Sequence, residues 1–146
     1  MKYEHNFRIG KTLGKLLGDK LQNEFHNQNV DLILPVPLHH LKKSERGYNQ
    51  SFYIAKGVNR KLNLTLDERS VKRIKYTETQ TSMNSREREK NIAGAFRVKR
   101  TNNISGKNIL IIDDVITSGN TVSEFGRILK ENGAVTIYAA SIAIAD

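Results

Sequence analysis

The 146-residue chain has no cysteine, which removes disulfides, thiol nucleophiles and thiolate metal sites and suits a reducing compartment. It also lacks a run of about 18 apolar residues, the least that spans a bilayer. The opening MKYEHNFRIG has no apolar stretch of the secretory kind, so a cytoplasmic location without membrane insertion is expected. Only two prolines occur, Pro35 and Pro37, and acidic side chains number 15 against 24 lysines and arginines. What remains is 38% hydrophobic and 27% charged, the balance of a folded rather than a disordered chain. The length is that of one domain, so residues 1–146 are read as a single unit and a large multi-domain enzyme is excluded.

The net charge of +9 is unevenly placed. Residues 69–100 carry 10 basic and 3 acidic groups, a density that a phosphate-rich ligand or nucleic acid would select. The bland alternative for most of these side chains is a solvated face.

Along the chain, Ile9, Leu13, Leu16, Leu17, Leu21 and Phe25 recur at helical spacing, predicting an amphipathic helix over residues 8–26 that buries this stripe. VDLILPV at 30–36 predicts a buried strand ended by Pro35 and Pro37. Residues 38–48 have no apolar period and read as a basic loop. Asn49 is placed to cap a helix running to about Leu62. Between 67 and 107 the pattern is least regular: VKRIKY resembles an exposed strand, TETQTSMNS a polar connection and REREKNIAGAF a short helix closed by Gly94. NILIIDDV, residues 108–115, is an apolar strand ending in two carboxylates. A helix with Val122, Phe125, Ile128 and Leu129 on one face follows, stopped by Gly133, and AVTIYAASIAIA makes a last strand. Strands alternating with helices argue an α/β domain with a mainly parallel sheet.

In such a sheet ligands bind beyond the carboxyl ends of the strands, where Asp113, Asp114 and the turn Thr117-Ser118-Gly119-Asn120-Thr121 must lie. Small hydroxyl residues and a glycine at a helix start let backbone N–H groups converge on an anion such as a phosphate monoester. Two adjacent carboxylates just before it offer acceptors for a vicinal diol, so a ribose 5-phosphate fits both halves. The alternative is an ordinary helix start with a solvated turn. A phosphoacceptor receiver domain is disfavoured, because only 32 residues follow Asp114. Neither a Walker A loop nor Gly-x-Gly-x-x-Gly occurs, which sets aside nucleoside triphosphatases and dinucleotide enzymes. The four histidines, His5, His26, His39 and His40, lack metal-site spacing, and a surface role is expected for them.

ILIIDDVITSGNT, residues 109–121, resembles the phosphoribosyl pyrophosphate (PRPP) signature of type I phosphoribosyltransferases. LILPVPLHHLKKSERGYNQS and KRIKYTETQTSMNSREREKNIAGAF resemble two further blocks of the competence protein F (ComF) family, so the resemblance covers nearly the whole chain. It rests on Arg46-Gly47-Tyr48-Asn49-Gln50, Thr77, Gln80, Arg88, Asn91 and Gly94-Ala95-Phe96. It implies a three-layer, mainly parallel α/β fold of the type I phosphoribosyltransferase kind. By it, Asp113 and Asp114 hold the ribose hydroxyls and Thr117 through Thr121 cradle the 5-phosphate. Val36, Pro37 and Leu38 correspond to a pyrophosphate loop, with Lys42, Lys43 and Arg46 near enough to meet its charge. Arg73, Gln80, Arg86, Arg88 and Asn91 fall where type I enzymes carry a lid; charge pairing along a plain helix is the competing account of the Arg86–Lys90 stretch.

The implied cofactor is magnesium, arriving with the pyrophosphate and taking no direct protein ligand. The implied reaction displaces pyrophosphate at C1 of PRPP by an unidentified nitrogen acceptor, with no side chain standing out as general base. Many members of the family begin with a cysteine-rich zinc ribbon, which this cysteine-free chain lacks, so it resembles a member starting partway in. The family name also raises a role in DNA uptake, through single-stranded DNA or a competence-machinery protein, with PRPP bound but not turned over. Against a nucleic-acid module stands the scarcity of interleaved aromatics, since only Tyr76 and Phe96 lie within 69–100.

Overall fold

The computed structural model describes residues 4–25, 28–76 and 84–145. In chain order run α1 (Glu4–Glu24), β1 (Leu32–Pro35), α2 (His40–Arg46), α3 (Gln50–Leu62), β2 (Thr65–Leu66), β3 (Val71–Arg73), α4 (Ser85–Ile92), β4 (Phe96–Val98), α5 (Thr101–Ile104), β5 (Asn108–Ile116), α6 (Asn120–Glu131) and β6 (Thr136–Ile144). Four strands form one sheet in the order β2-β1-β5-β6, parallel throughout, and β3 pairs antiparallel with β4 in a separate ribbon.

Side chains alternate across a strand, so the continuous apolar run of β5 must be covered on both faces. Leu110 and Ile112, with Ile33 of β1, pack under Leu21 of α1 and Ile54, Ala55 and Val58 of α3. Ile109 and Ile111, with Leu32 and Leu34, pack under Phe125 and Leu129 of α6, Ile104 of α5 and Phe96 of the ribbon. Helices thus flank the sheet on two sides, the three layers expected. Each fully buried isoleucine or leucine contributes roughly 1.5–3 kcal/mol.

The first helix differs from expectation. It is already helical at Glu4, and Phe7 stacks on Tyr53 of α3 with ring centroids 4.3 Å apart. The face it buries is Gly10, Gly14, Gly18 and Leu21, while Ile9 and Leu16 remain 42% and 63% exposed. Gly14 meets Gly57 so closely that a Cβ on Gly14 would lie 2.2 Å from the Ile54 carbonyl oxygen, and one on Gly57 2.2 Å from that of Lys11. Backbone-to-backbone contact thus adds three glycines to a stripe on which Leu21 is buried and Leu17 and Phe25 pack, and leaves Ile9 and Leu16 outside it.

The predicted basic loop at 38–48 contains a helix, α2, invisible to apolar periodicity because it buries none of its residues. It starts where the His39 imidazole Nδ1 accepts from the Leu41 N–H (3.2 Å) and ends at Gly47, whose φ of 88° is in the left-handed region. His39 is correspondingly buried, at 6% exposure, which corrects its expected surface role. Asn49 caps α3 as predicted, its side chain accepting from the Ser51 N–H.

Candidate functional site

The carboxyl ends of β1 and β5 lie side by side, with Pro35 in register with Ile112, and the N-terminus of α3 stands against both. A cleft of about 340 Å³ opens there. Asp113 and Asp114 line it together with Thr117, Ser118, Asn120 and Thr121 from the turn into α6. Val36 and Leu38 come from the loop after β1, and Lys42 and Arg46 from α2. Arg73 enters from β3, and Arg88 and Asn91 from α4. Four cations and two carboxylates therefore converge on one space, a charge arrangement suited to a polyanion that also carries hydroxyls.

Asp113 is the most perturbed group in the cleft. Burial, followed by its neighbour Asp114, pushes its carboxyl up from 3.8 to about 6. Working the other way are the Asp114 N–H (2.9 Å) and the Ser51 hydroxyl (3.1 Å), both donating to Oδ1. Asp114 Oδ1 in turn accepts from the Val115 N–H at 2.8 Å. The Arg73 guanidinium is lowered from its ordinary value by loss of hydration, partly offset by the Asp113 charge, and lies 5.4 Å from the centroid of the Phe96 ring. His39 is lowered as well, by desolvation first and then by His40, Arg73, Lys72 and Lys42.

At the turn into α6, the N-cap Gly119 takes φ 83°, which favours glycine, and the Ser118 hydroxyl accepts from the Asn120 N–H at a long 3.4 Å. Residues Thr117 through Thr121 together with Asp113 also line a small recess of about 40 Å³, the part of the site that holds Gly119. A helix start of this kind presents N–H groups and the positive end of the helix dipole to an anion.

Some anticipated residues lie elsewhere. Pro37 and Lys43 border a separate side cavity of about 130 Å³, shared with Arg73 and Leu38. Arg86 is exposed on α4 and does not line the cleft. Arg73, expected on a lid, is on a paired strand; Gln80 and Thr77 fall outside the described residues. Ser51 and Gln50 line the cleft, and Ser51 was not anticipated. Its signal was available: a hydroxyl three, four and seven residues before Ile54, Ala55 and Val58 lies on the apolar side of α3 and requires a partner. A larger groove of about 660 Å³ lies beside β2, between Phe52 and Asn103, but contains neither the carboxylate pair nor the turn.

The pattern of the phosphoribosyl transferase domain family matches residues 48–145. Competence protein F of Haemophilus influenzae is 31% identical over 146 residues, covering 97% of this chain and 64% of that protein. DNA utilization protein YhgH of Shigella flexneri is 32% identical over 143 residues, covering 94% of this chain and 61% of its own length. The chain thus spans less than two thirds of these curated relatives. Among solved structures, glutamine PRPP amidotransferase from B. subtilis, complexed with ADP and GMP, superposes with a TM-score of 0.59 at 20% identity. That match covers 89% of this chain and 25% of the other, and shows the fold. The chain belongs to the phosphoribosyl transferase domain family, with Competence protein F and DNA utilization protein YhgH among its homologues.

Proposed function

We propose that the cleft binds PRPP with magnesium and passes its phosphoribosyl group to a nitrogen acceptor. One observation supports this above the rest: an adjacent carboxylate pair stands between the start of α6 and four convergent cations. The turn Thr117–Thr121 would take the 5-phosphate, Asp113 and Asp114 the ribose hydroxyls, and Arg73, Arg88, Lys42 and Arg46 the pyrophosphate.

Among the described residues no group of three or more His, Asp or Glu side chains could cage a metal. A pair of carboxylates beside a cationic wall fits a magnesium ion that would come with the pyrophosphate oxygens, Asp113 and Asp114 acting on it through the ribose and its hydration shell rather than as direct ligands. Bound there, the ion would offset leaving-group charge. The chain itself contributes orientation. Holding the 5-phosphate at one end and the diol at the other fixes C1 between them, so that remote binding energy positions the reacting carbon. At pH 7 Asp113 is mainly ionised and accepts from hydroxyls; below about 6 it takes up a proton and loses acceptor capacity.

Calorimetric titration of PRPP, with and without magnesium, against wild type and the Asp113→Ala, Asp114→Ala double variant tests the binding. Magnesium-dependent affinity lost in the variant is expected; no binding by folded wild type refutes it. A screen of bases and amines for pyrophosphate release then tests transfer. The names of the relatives favour a second account, in which PRPP or a nucleotide is bound without turnover by a DNA-uptake component that meets single-stranded DNA or a competence protein. Pyrophosphate release that depends on an acceptor and is lost in the Asp113→Ala, Asp114→Ala variant would exclude it, and its DNA arm predicts affinity falling steeply with salt.

A further inference from the structure

Four hydrogen bonds close a circuit around the floor of the cleft. The Val36 N–H donates to the Ile112 carbonyl (2.9 Å), which fixes the loop after β1 to the residue before Asp113. Asn49 Nδ2 donates to the Val36 carbonyl (3.1 Å) from 13 residues away. Asn49 Oδ1 accepts from the Ser51 N–H (3.1 Å), and the Ser51 hydroxyl donates to Asp113 Oδ1 (3.1 Å) across 62 residues.

The chemistry at both positions exceeds what a helix start needs. Capping α3 takes only an acceptor, which Ser or Asp would supply. A carboxamide supplies that acceptor and a donor, and here the donor is used on the Val36 carbonyl. Ser51 is 4% exposed and does not bond back to its own helix; it reaches the carboxylate of another element. The two residues therefore join the loop after β1 to Asp113 through one helix turn.

We propose that Asn49 and Ser51 are a positioning pair that makes the loop after β1 and the Asp113 carboxylate move as one, so that pyrophosphate on the first and a ribose phosphate on the second bind with positive coupling. This rests on the PRPP assignment above. A ligand that pulls on the Val36 loop displaces Asn49, the start of α3 and hence the Ser51 hydroxyl. Asp113 is then aimed before the second ligand arrives, and by linkage the reverse also holds.

The test is titration of ribose 5-phosphate alone and in saturating magnesium pyrophosphate, by calorimetry. Wild type is expected to gain about fivefold or more in affinity when pyrophosphate is present, the lower range of common coupling energies. In Asn49→Ser, which keeps a cap acceptor but is too short to reach Val36, the ratio is expected to fall to one or below. Ser51→Ala should do the same, and Ser51→Thr should restore the gain by returning the hydroxyl. A purely structural role would lower melting temperature and both affinities while leaving the ratio in place. Wild type that binds both ligands without coupling, or folded Asn49→Ser that keeps the ratio, overturns the inference and leaves the PRPP assignment standing. Wild type that binds neither ligand overturns the assignment, and the inference with it.

Discussion

Asn in place of Asp113 should stabilise the protein above pH 6 while impairing its site. The carboxyl is displaced upward from 3.8 to about 6, mainly because burial disfavours its charge. A group whose folded pKa lies above its unfolded one contributes stability that is complete below the unfolded value and lost as pH rises through the folded one. The native protein therefore loses stability between about pH 4 and 6, and keeps that deficit at neutral pH. An amide at 113 does not ionise, and its oxygen still accepts from the Ser51 hydroxyl and the Asp114 N–H. At 1.36 kcal/mol per pKa unit the displacement is worth at most about 3 kcal/mol. The cleft is open to water, which brings the expected gain nearer to about 2 kcal/mol. For a chain of this size that is roughly 6 °C in melting temperature. Urea unfolding of wild type and Asp113→Asn at half-unit steps from pH 4 to 8 reads the difference directly. The two curves should converge at the acid end, separate through pH 5 to 6 and run parallel above. A difference that does not change with pH, or an Asn variant less stable at pH 8, would refute the idea that a strained charge is held in the cleft for function.

Gly14→Ala and Gly57→Ala each place a methyl 2.2 Å from a backbone oxygen across the α1–α3 contact, and each should lose about 3 kcal/mol or more in urea unfolding. Gly126→Ala on α6, whose nearest atom is Ile137 Cγ2 at 3.5 Å, should instead gain about 0.5–1 kcal/mol, and a loss there would contradict the packing described. Gly119→Ala meets no atom within 4 Å, so its cost is that of a left-handed residue, about 1–2 kcal/mol by thermal unfolding, together with weaker PRPP binding. Arg73→Lys keeps the charge but loses the planar fork, and about a tenfold drop in PRPP affinity by calorimetry is expected; unchanged affinity would remove Arg73 from the pyrophosphate site.

What was legible in the chain and what was not divides along sequence distance. Asp113, Asp114 and Thr117 through Thr121 form one contiguous stretch in which strand, carboxylates, turn and helix start each have a local signature, so the architecture around them follows from neighbours alone. The same holds for the Asn49 cap. Ser51 acquires its meaning only from a carboxylate 62 residues later, and no local pattern names that partner. The small ribbon was half legible: both strands are three residues long, but β3 opens the stretch VKRIKY, in which Val71, Ile74 and Tyr76 are interleaved with charged residues, whereas Phe96 of β4 comes just after the helix-closing Gly94 and the charged Lys99 and Arg100 follow Val98. The face of α1 was legible at Leu17, Leu21 and Phe25 but not at its glycines. Counting large apolar side chains assumes that burial is driven by area, whereas Gly10, Gly14 and Gly18 are buried because they are small enough to admit α3. That close approach bears on the site as well, since Gly57 and Ser51 lie on the same helix, and the depth to which α3 seats on α1 helps set where the Ser51 hydroxyl meets Asp113. A methyl at Gly14 should accordingly disturb the carboxylate as well as the fold.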